Sequence, residues 1–418
     1  MRSRRPGAAP RAPPIPPVPP VPPARAAALR RRLLAWYDAS RRDLPWRAPQ
    51  GAADPYRAWL AEVMLQQTRV EAAIPYYRRF LEAFPTLEAL SAAGEEEVLS
   101  RWAGLGYYAR GRNLLAAARE AVARHGGLPA TPEALRALPG FGPYTAGAVA
   151  SIAFGVRAPA VDGNAARVLA RLFRIEGRPE ERAVRERILG VAARLVPADR
   201  PGDWNQALME LGATVCGRAP ACGRCPVEPL CEARRAGRER GIPPPRRHPA
   251  PALLRVACAA LWRDGRLLLV RRASRGLLGG LWELPGVTLH GADPARAAVR
   301  RALRRDLGLE ASVGRELAAV ERQLTHRRLQ LIAYEIRSVR PVPGTGKPPG
   351  KSVPKPVPGT EHRGRAGPAG PAPGMRSRPV PGPVPGTRWI SPDALEGVAI
   401  STAVRRLVEA LAAARAKE

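Results

Sequence analysis

The hydrophobic pattern changes period at Pro243-Pro244-Pro245-Arg246-Arg247, and that break constrains the fold more than any other feature of the chain. Before it, apolar residues recur three and four apart, as in Ala58-Trp59-Leu60-Val63-Met64-Leu65 and Leu114-Leu115-Ala118-Val122, which is the period of a helix with one buried face. Thr86 before Glu88, Thr131-Pro132-Glu133 and Gly126-Gly127 supply starts and stops, so about ten helices and no strand are expected. After the break, Leu254 to Leu261 and Arg266 to Val270 read as strands around the hairpin turn Asp264-Gly265. A helix is expected from Pro294 to Leu307, closed by Gly308, and another strand from Leu329 to Ile336. The organisation expected is a disordered basic Pro-rich tail over 1–24, a mainly α domain over 25–231, a linker over 232–251 and an α+β domain over 252–418. Within the last, 341–387 repeats Pro-Val-Pro-Gly at Pro341, Pro356, Pro379 and Pro383 and offers nothing to bury, so it reads as a disordered interruption.

Among the 418 residues, 68 Lys and Arg stand against 36 Asp and Glu, a formal charge of +32. Such an excess favours a polyanionic partner, because basic groups release phosphate counterions on binding. No apolar run reaches the roughly 18 residues of a membrane span, so no membrane association is expected. The first 32 residues are Arg-rich and free of acid, which suits a mitochondrial presequence, but the prolines from Pro13 to Pro23 would break an amphipathic helix there, and a disordered basic tail is the simpler reading.

Four of the five cysteines cluster as C-x5-C-x2-C-x5-C: Cys216, Cys222, Cys225 and Cys231. Four thiolates in sixteen residues can wrap one zinc ion or a [4Fe–4S] cube, and the spacing does not choose between them. Leu138-Pro139-Gly140-Phe141-Gly142-Pro143-Tyr144-Thr145-Ala146-Gly147 reads as a tight turn between two helices. The backbone N–H groups of Gly140 and Gly142, next to a helix start, form a cradle for one phosphate. Some twenty residues on, Asp162 precedes a helix over Ala165 to Leu172, where it can serve as a simple N-cap or as a reactive carboxylate.

This constellation resembles the helix–hairpin–helix-Gly/Pro-Asp superfamily of base-excision glycosylases with its C-terminal iron–sulfur loop. Within it, Ala61-Glu62-Val63-Met64-Leu65-Gln66-Gln67-Thr68, Gly104-Leu105-Gly106-Tyr107-Tyr108-Ala109-Arg110 and Asn205-Gln206-Ala207-Leu208-Met209-Glu210-Leu211-Gly212 resemble signatures of the MutY adenine glycosylases. The resemblance runs from about Leu33 to Cys231 and implies a mainly α helix–hairpin–helix glycosylase domain with an iron–sulfur loop, followed by an α+β Nudix-like domain. It implies a [4Fe–4S] cluster on the four cysteines, although the family usually has six residues between the first two and this chain has five. It implies that Glu62 protonates the purine, with Leu60, Val63 and Leu65 around it raising its pKa, while ionised Asp162 stabilises the sugar cation. Asn164 and Tyr144 would orient these groups. Gln67 and Tyr107, with Leu105 beside them, would wedge the duplex; Gln66 and Thr68 would lie near the opposite base; Arg47 and Glu210 would line the adenine pocket. For Leu105 and Tyr107, plain core packing is the alternative.

Relatives that also cut the strand use a Lys in the hairpin as an imine-forming nucleophile; Tyr144 stands in its place here and cannot form an imine. The expectation is therefore a monofunctional adenine glycosylase, with a bifunctional glycosylase-lyase for damaged bases and a non-catalytic lesion binder as alternatives. In the second domain, Arg301-Ala302-Leu303-Arg304-Arg305-Asp306-Leu307-Gly308 departs from the R-E-x-x-E-E-x-G of a Nudix hydrolase at Ala302 and Arg305, so binding rather than hydrolysis is expected. The resemblance assigns that domain the recognition of 8-oxoguanine, with Leu324-Thr325-His326 where the family has Phe-Ser-His. No cysteine lies between Glu232 and Pro251, and Cys258 stands alone in a strand, so no zinc site of the kind vertebrate-like relatives carry is expected. The partners implied are double-stranded DNA with an A:8-oxoguanine or A:G mispair, together with repair and replication proteins. A monomer acting in the nucleus, and also in the mitochondrion, completes the expectation.

Overall fold

The structure is a computed structural model that describes residues 17–47, 53–245, 251–273, 276–324, 327–342 and 386–416. It comprises two compact units, Met1–His248 and Pro249–Glu418. Among the described residues no helix is long and apolar enough to cross a membrane.

The first unit holds helices α1 (Pro23–Ser40), α2 (Pro55–Leu65), α3 (Val70–Ala83), α4 (Leu87–Ala92), α5 (Glu95–Trp102), α6 (Ala109–His125), α7 (Pro132–Ala137), α8 (Pro143–Phe154), α9 (Gly163–Leu172), α10 (Arg182–Leu195), α11 (Pro201–Thr214) and α12 (Glu232–Arg235). The starts read from the sequence are real caps: the side chains of Thr86, Thr131 and Asp162 accept from the backbone N–H three residues on. Gly126 ends α6 in the left-handed conformation. The core is filled by Trp59, Trp102, Trp204, Tyr37, Tyr77 and Phe80, all fully buried.

Two close approaches fix the frame of the site. Helix α8 is apolar on every side and almost wholly buried; a Cβ on its Gly147 would stand 2.2 Å from the Pro159 carbonyl oxygen. A Cβ on Gly212 of α11 would stand 2.7 Å from the Asn164 Cβ, so only glycine lets α11 lie this close to the start of α9.

Several expected boundaries move. Val18 and Val21 pack against the first core and α1 starts at Pro23, so the tail expected over 1–24 does not reach that far; residues 1–16 lie outside the described residues. The linker expected over 232–251 is also shorter. Ala233 and Ile242 are buried in the first unit's core, and the Arg171 guanidinium donates to the Ile242 carbonyl at 2.7 Å. Among the described residues of the first unit twelve helices stand where about ten were expected, because short pieces such as α4 and α12 span too few turns to show a period.

The second unit has strands β1 (Ala252–Ala260), β2 (Trp262–Arg263), β3 (Arg266–Arg271), β4 (Trp282–Glu283), β5 (Gly286–Leu289), β6 (Leu309–Gln323), β7 (Arg327–Pro341) and β8 (Thr387–Ile390), with helices α13 (Ala295–Leu307) and α14 (Thr402–Arg415). One sheet runs β5-β1-β7-β6, with β1 and β7 parallel; in the other, β3 pairs with β2, β4 and β8. Asp264 and Gly265 both take positive φ, as the hairpin signal requires, yet the turn joins β2 to β3 rather than β1 to β3. The helix closed by Gly308 is α13. Strand β6 was not expected: its face exposed to water is charged, which dilutes the period-two signal. The interruption expected over 341–387 is narrower at both ends, since Pro341 ends β7 and Thr387 starts β8; 343–385 lie outside the described residues.

Candidate active site

The hairpin motif becomes the turn between α7 and α8. Gly140 takes φ +79°, and a Cβ there would stand 2.7 Å from the Asn113 Cβ. Gly142 caps α8 in an extended conformation with open space where a side chain would be. Phe141, between them, stacks on Trp59 with ring centroids 5.2 Å apart, which fastens the turn to α2. That contact brings the start of α8 over Glu62.

Tyr144 Oη donates to Glu62 Oε2 at 2.5 Å and lies 3.2 Å from the Met209 sulfur. Burial raises the Glu62 carboxyl from its ordinary 4.5 to about 7; the Asp162 charge adds to this, while the Tyr144 hydrogen bond and the Arg47 charge oppose it. Half the molecules then carry the proton near neutrality, which suits a group that donates one. The Tyr144 phenol is itself pushed well above its usual value by burial and by the two neighbouring carboxyls, so it stays protonated.

Asp162 is the N-cap of α9 and a member of the site at once. Its Oδ1 accepts from the Ala165 N–H at 2.7 Å and its Oδ2 from the Asn164 amide at 2.9 Å. Burial raises its carboxyl, and those hydrogen bonds, together with the Arg167 charge, hold the rise back. Asn164 Oδ1 accepts from Arg167, whose guanidinium also donates to the Gly212 and Cys216 carbonyls. Arg167 thereby ties α9, α11 and the cysteine loop together. Beside Asn164 opens a cavity of about 450 Å³ lined by Arg167, Arg171, Arg218 and Arg240.

Arg47 and Glu210 do meet, but as an ion pair. Arg47 Nη2 donates to Glu210 Oε2 at 2.8 Å, and Arg42 donates to both oxygens of the same carboxylate. Burial alone would raise Glu210, whose side chain is 2% exposed; the two guanidiniums bring it below its ordinary value. Arg47 also acts on Glu62 through its charge, which places it at the edge of the same site. Arg42 had no role assigned from the sequence, because nothing in Arg41-Arg42 says which of the two turns inward.

Gln67 and Tyr107 both take left-handed backbone conformations, with φ 59° and 48°, and both side chains face water. Tyr107 is 38% exposed, whereas Leu105 is 8% exposed and belongs to the core, so Leu105 supports its loop from within rather than presenting a wedge. The Gln66 amide donates to Thr145 Oγ1 at 3.3 Å, and Thr68 Oγ1 accepts from Arg110 at 3.3 Å, so both are turned partly into the protein.

The four cysteines sit between α11 and α12. Cys222 and Cys225 flank a single 3-10 turn, and Cys231 opens α12. All are free and partly buried, and Cys216, Cys225 and Cys231 pack against the first core. Among the described residues no three His, Cys, Asp or Glu side chains stand close enough to hold a single ion, yet Cys216, Cys222 and Cys231 all act electrostatically on Cys225. Four cysteine sulfurs near enough to act on one another are the soft donor set that a four-iron cube takes. The charge fits as well. Arg171 is 3% exposed, and its described partners are the Ile242, Cys216 and Gly217 carbonyls and the Cys216 sulfur at 3.2 Å, with no carboxylate among them. An anionic four-thiolate cluster would compensate a buried cation of this kind.

In the second unit, Ala302 is buried on α13, and Asp306 is paired with Arg305 at 2.7 Å. Glu283 is paired with Arg272 at 2.6 Å. Both acids line a cavity of about 270 Å³, and both are already engaged by arginines. Leu324 lies at the tip of the β6–β7 ribbon, where its N–H donates to the Arg327 carbonyl at 2.7 Å; Thr325 and His326 lie outside the described residues.

Comparison with known proteins agrees with this arrangement. Residues 60–193 match the family described as HhH-GPD superfamily base excision DNA repair protein, and residues 256–410 match the NUDIX domain. The adenine DNA glycosylase of Homo sapiens is 39% identical over 389 residues, covering 78% of this chain and 70% of that protein. That of Mus musculus is 38% identical, covering 78% and 74%. That of Mycolicibacterium smegmatis is 42% identical over 207 residues, covering 49% and 69%. The chain belongs to the adenine DNA glycosylase family.

Proposed function

We propose that this protein hydrolyses the N-glycosidic bond of adenine mispaired with 8-oxoguanine or guanine in double-stranded DNA. The observation that carries the reading is the Tyr144–Glu62 hydrogen bond on a carboxyl raised to about 7, with Asp162 close enough to act on it electrostatically. Glu62 gives its proton to the purine ring, and the bond from the sugar C1′ breaks with its electron pair leaving on the base. The sugar cation that remains faces Asp162. Water then attacks C1′ and its proton returns to Glu62. Asn164 fixes the Asp162 carboxylate through its amide, and Tyr144 fixes Glu62. A base inside the stack cannot reach Glu62, so the adenine is turned out, with exposed Gln67 and Tyr107 filling or prising the gap.

Tyr144, being a phenol already committed to Glu62, offers no amine for an imine, which supports base removal without β-elimination. The four cysteines would hold a [4Fe–4S] cluster, which when bound ties residues 216–231 into one crosslinked loop beside α9. The exposed Arg218 and Arg240 at that cavity suit the phosphate backbone. The second unit, with its acids paired to arginine, is read as a binder of the base opposite the target. Action in the nucleus, with the mitochondrion as a second location, and a monomer with repair and replication proteins as partners are proposed along with it.

The test is a single-turnover assay on duplexes holding A opposite 8-oxoguanine, A opposite G and A opposite T, with borohydride added in parallel. Free adenine from the first two and little covalent product support the reading. Abundant trapped complex, or equal excision from the A:T duplex, overturns it.

A further inference from the structure

We propose that Arg110 is a positioning residue that holds the two loops bearing Gln67 and Tyr107 in one fixed arrangement for displacing a base. The proposal rests on the reading that those two side chains enter the duplex. Helix α2 ends at Leu65, so its last carbonyls have no partner within the helix. Arg110, near the start of α6, fills that need: its Nη1 lies 2.7, 2.9 and 2.7 Å from the Val63, Met64 and Gln66 carbonyl oxygens. Its Nη2 lies 3.3 Å from each of Thr68 Oγ1, the Leu105 carbonyl and the Gly106 carbonyl. One guanidinium therefore holds the Gln66 carbonyl and the Thr68 hydroxyl on either side of Gln67, and the carbonyls of the two residues before Tyr107. Its carbon lies 5.5 Å from the centre of the Trp102 ring and 5.6 Å from that of Tyr107, so the Tyr107 side chain rests on the same cation.

The strain in the two loops explains why such a clamp is required. A non-glycine residue in the left-handed region costs about 1–2 kcal/mol and persists only where its surroundings over-determine it. Both exposed residues of the site are of this kind, and both are next to atoms that Arg110 grips. Lysine keeps the charge but is a point donor on a flexible stem, without the planar fork that reaches two loops at once.

The experiment compares Arg110→Lys, Thr68→Val, Tyr107→Ala and Gln67→Ala in the full chain. The readouts are fluorescence of 2-aminopurine placed at the target adenine opposite guanine, the single-turnover rate, the affinity for undamaged duplex, and thermal melting. Arg110→Lys is expected to melt as a single cooperative unit and to bind undamaged duplex within about threefold of wild type, while its unstacking signal and rate fall between about tenfold and a hundredfold. Thr68→Val, which removes one acceptor from the clamp, is expected to lose part of the same signal. If Tyr107→Ala and Gln67→Ala unstack the base as wild type does, the wedge reading fails. If those two are impaired while folded Arg110→Lys unstacks normally, the proposal fails and the wedge reading stands. Should Arg110→Lys not fold, Thr68→Val decides: an unstacking signal equal to wild type overturns the proposal.

Discussion

The pH dependence of excision follows directly from the contact between Tyr144 and Glu62. The reactive form has Glu62 protonated and Asp162 ionised, so the single-turnover rate falls roughly tenfold for each pH unit above about 7, and falls on the acid side as Asp162, its carboxyl raised by burial, takes up a proton. The Tyr144 hydroxyl donates to this carboxyl and favours its charged form, which holds the pKa down against burial. Removing the hydroxyl in Tyr144→Phe therefore moves the alkaline limb upward. A hydrogen bond to a charged group is worth about 1.5–3 kcal/mol, and one pKa unit corresponds to about 1.4 kcal/mol, so the limb moves up by about one to two pH units. The maximal rate falls as well, because the carboxyl is no longer held in one orientation. The assay is excision of A opposite 8-oxoguanine with enzyme in excess over DNA, followed from pH 5 to 10 for both proteins. A profile without an alkaline limb near neutrality, or a limb that moves downward in Tyr144→Phe, refutes the reasoning.

Three further outcomes are expected. A carboxyl raised from 4.5 to about 7 by burial binds its proton more tightly folded than unfolded, so its contribution favours the fold below about pH 4.5 and is lost as pH climbs through 7. Glu62→Gln therefore stabilises the protein above pH 7, by at most about 3 kcal/mol, in chemical denaturation; equal stability at pH 8 and no change between pH 5 and 8 contradict this. Gly212→Ala forces a methyl to within 2.7 Å of the Asn164 Cβ, so it costs about 1–3 kcal/mol in melting and slows excision by disturbing Asp162; normal melting and excision together contradict the packing account. Purified protein is expected to carry about four iron atoms per chain and Cys225→Ser to lose them with a lower melting temperature, as metal analysis and calorimetry would show; zinc in their place contradicts the cluster reading.

Much of the site was legible because its chemistry needs particular residue types at particular spacings. Glu62 was singled out by the resemblance, and the burial that its apolar flank implied is found in the structure. Asp162 was readable as an N-cap, which its bond from the Ala165 N–H bears out, and its second oxygen, held by Asn164, leaves it beside Glu62 for the catalytic role proposed above. Apart from Arg47, the arginines were not legible. Arg42, Arg110 and Arg167 each join segments 42 or more residues apart, or turn inward among neighbours of identical type, and no local pattern announces a long-range partner. Leu105 sits in a motif whose exposed member is Tyr107; only the backbone, with left-handed φ at Gly104, Gly106 and Tyr107, decides which side chain is turned out. In the second unit the hairpin turn was readable from Asp264-Gly265, but its partner strand was not, because register depends on which strands share a buried face.

The central claim is that Glu62 supplies the proton that lets adenine leave. Its most direct test is the single-turnover excision rate of Glu62→Gln on an A:8-oxoguanine duplex, measured beside the affinity for the same duplex. The glutamine keeps the shape and can still accept from Tyr144, but it has no proton to give. The rate is expected to fall between about a hundredfold and ten-thousandfold with affinity unchanged within a few fold. Excision within a few fold of wild type, by a variant that binds and folds normally, contradicts the account.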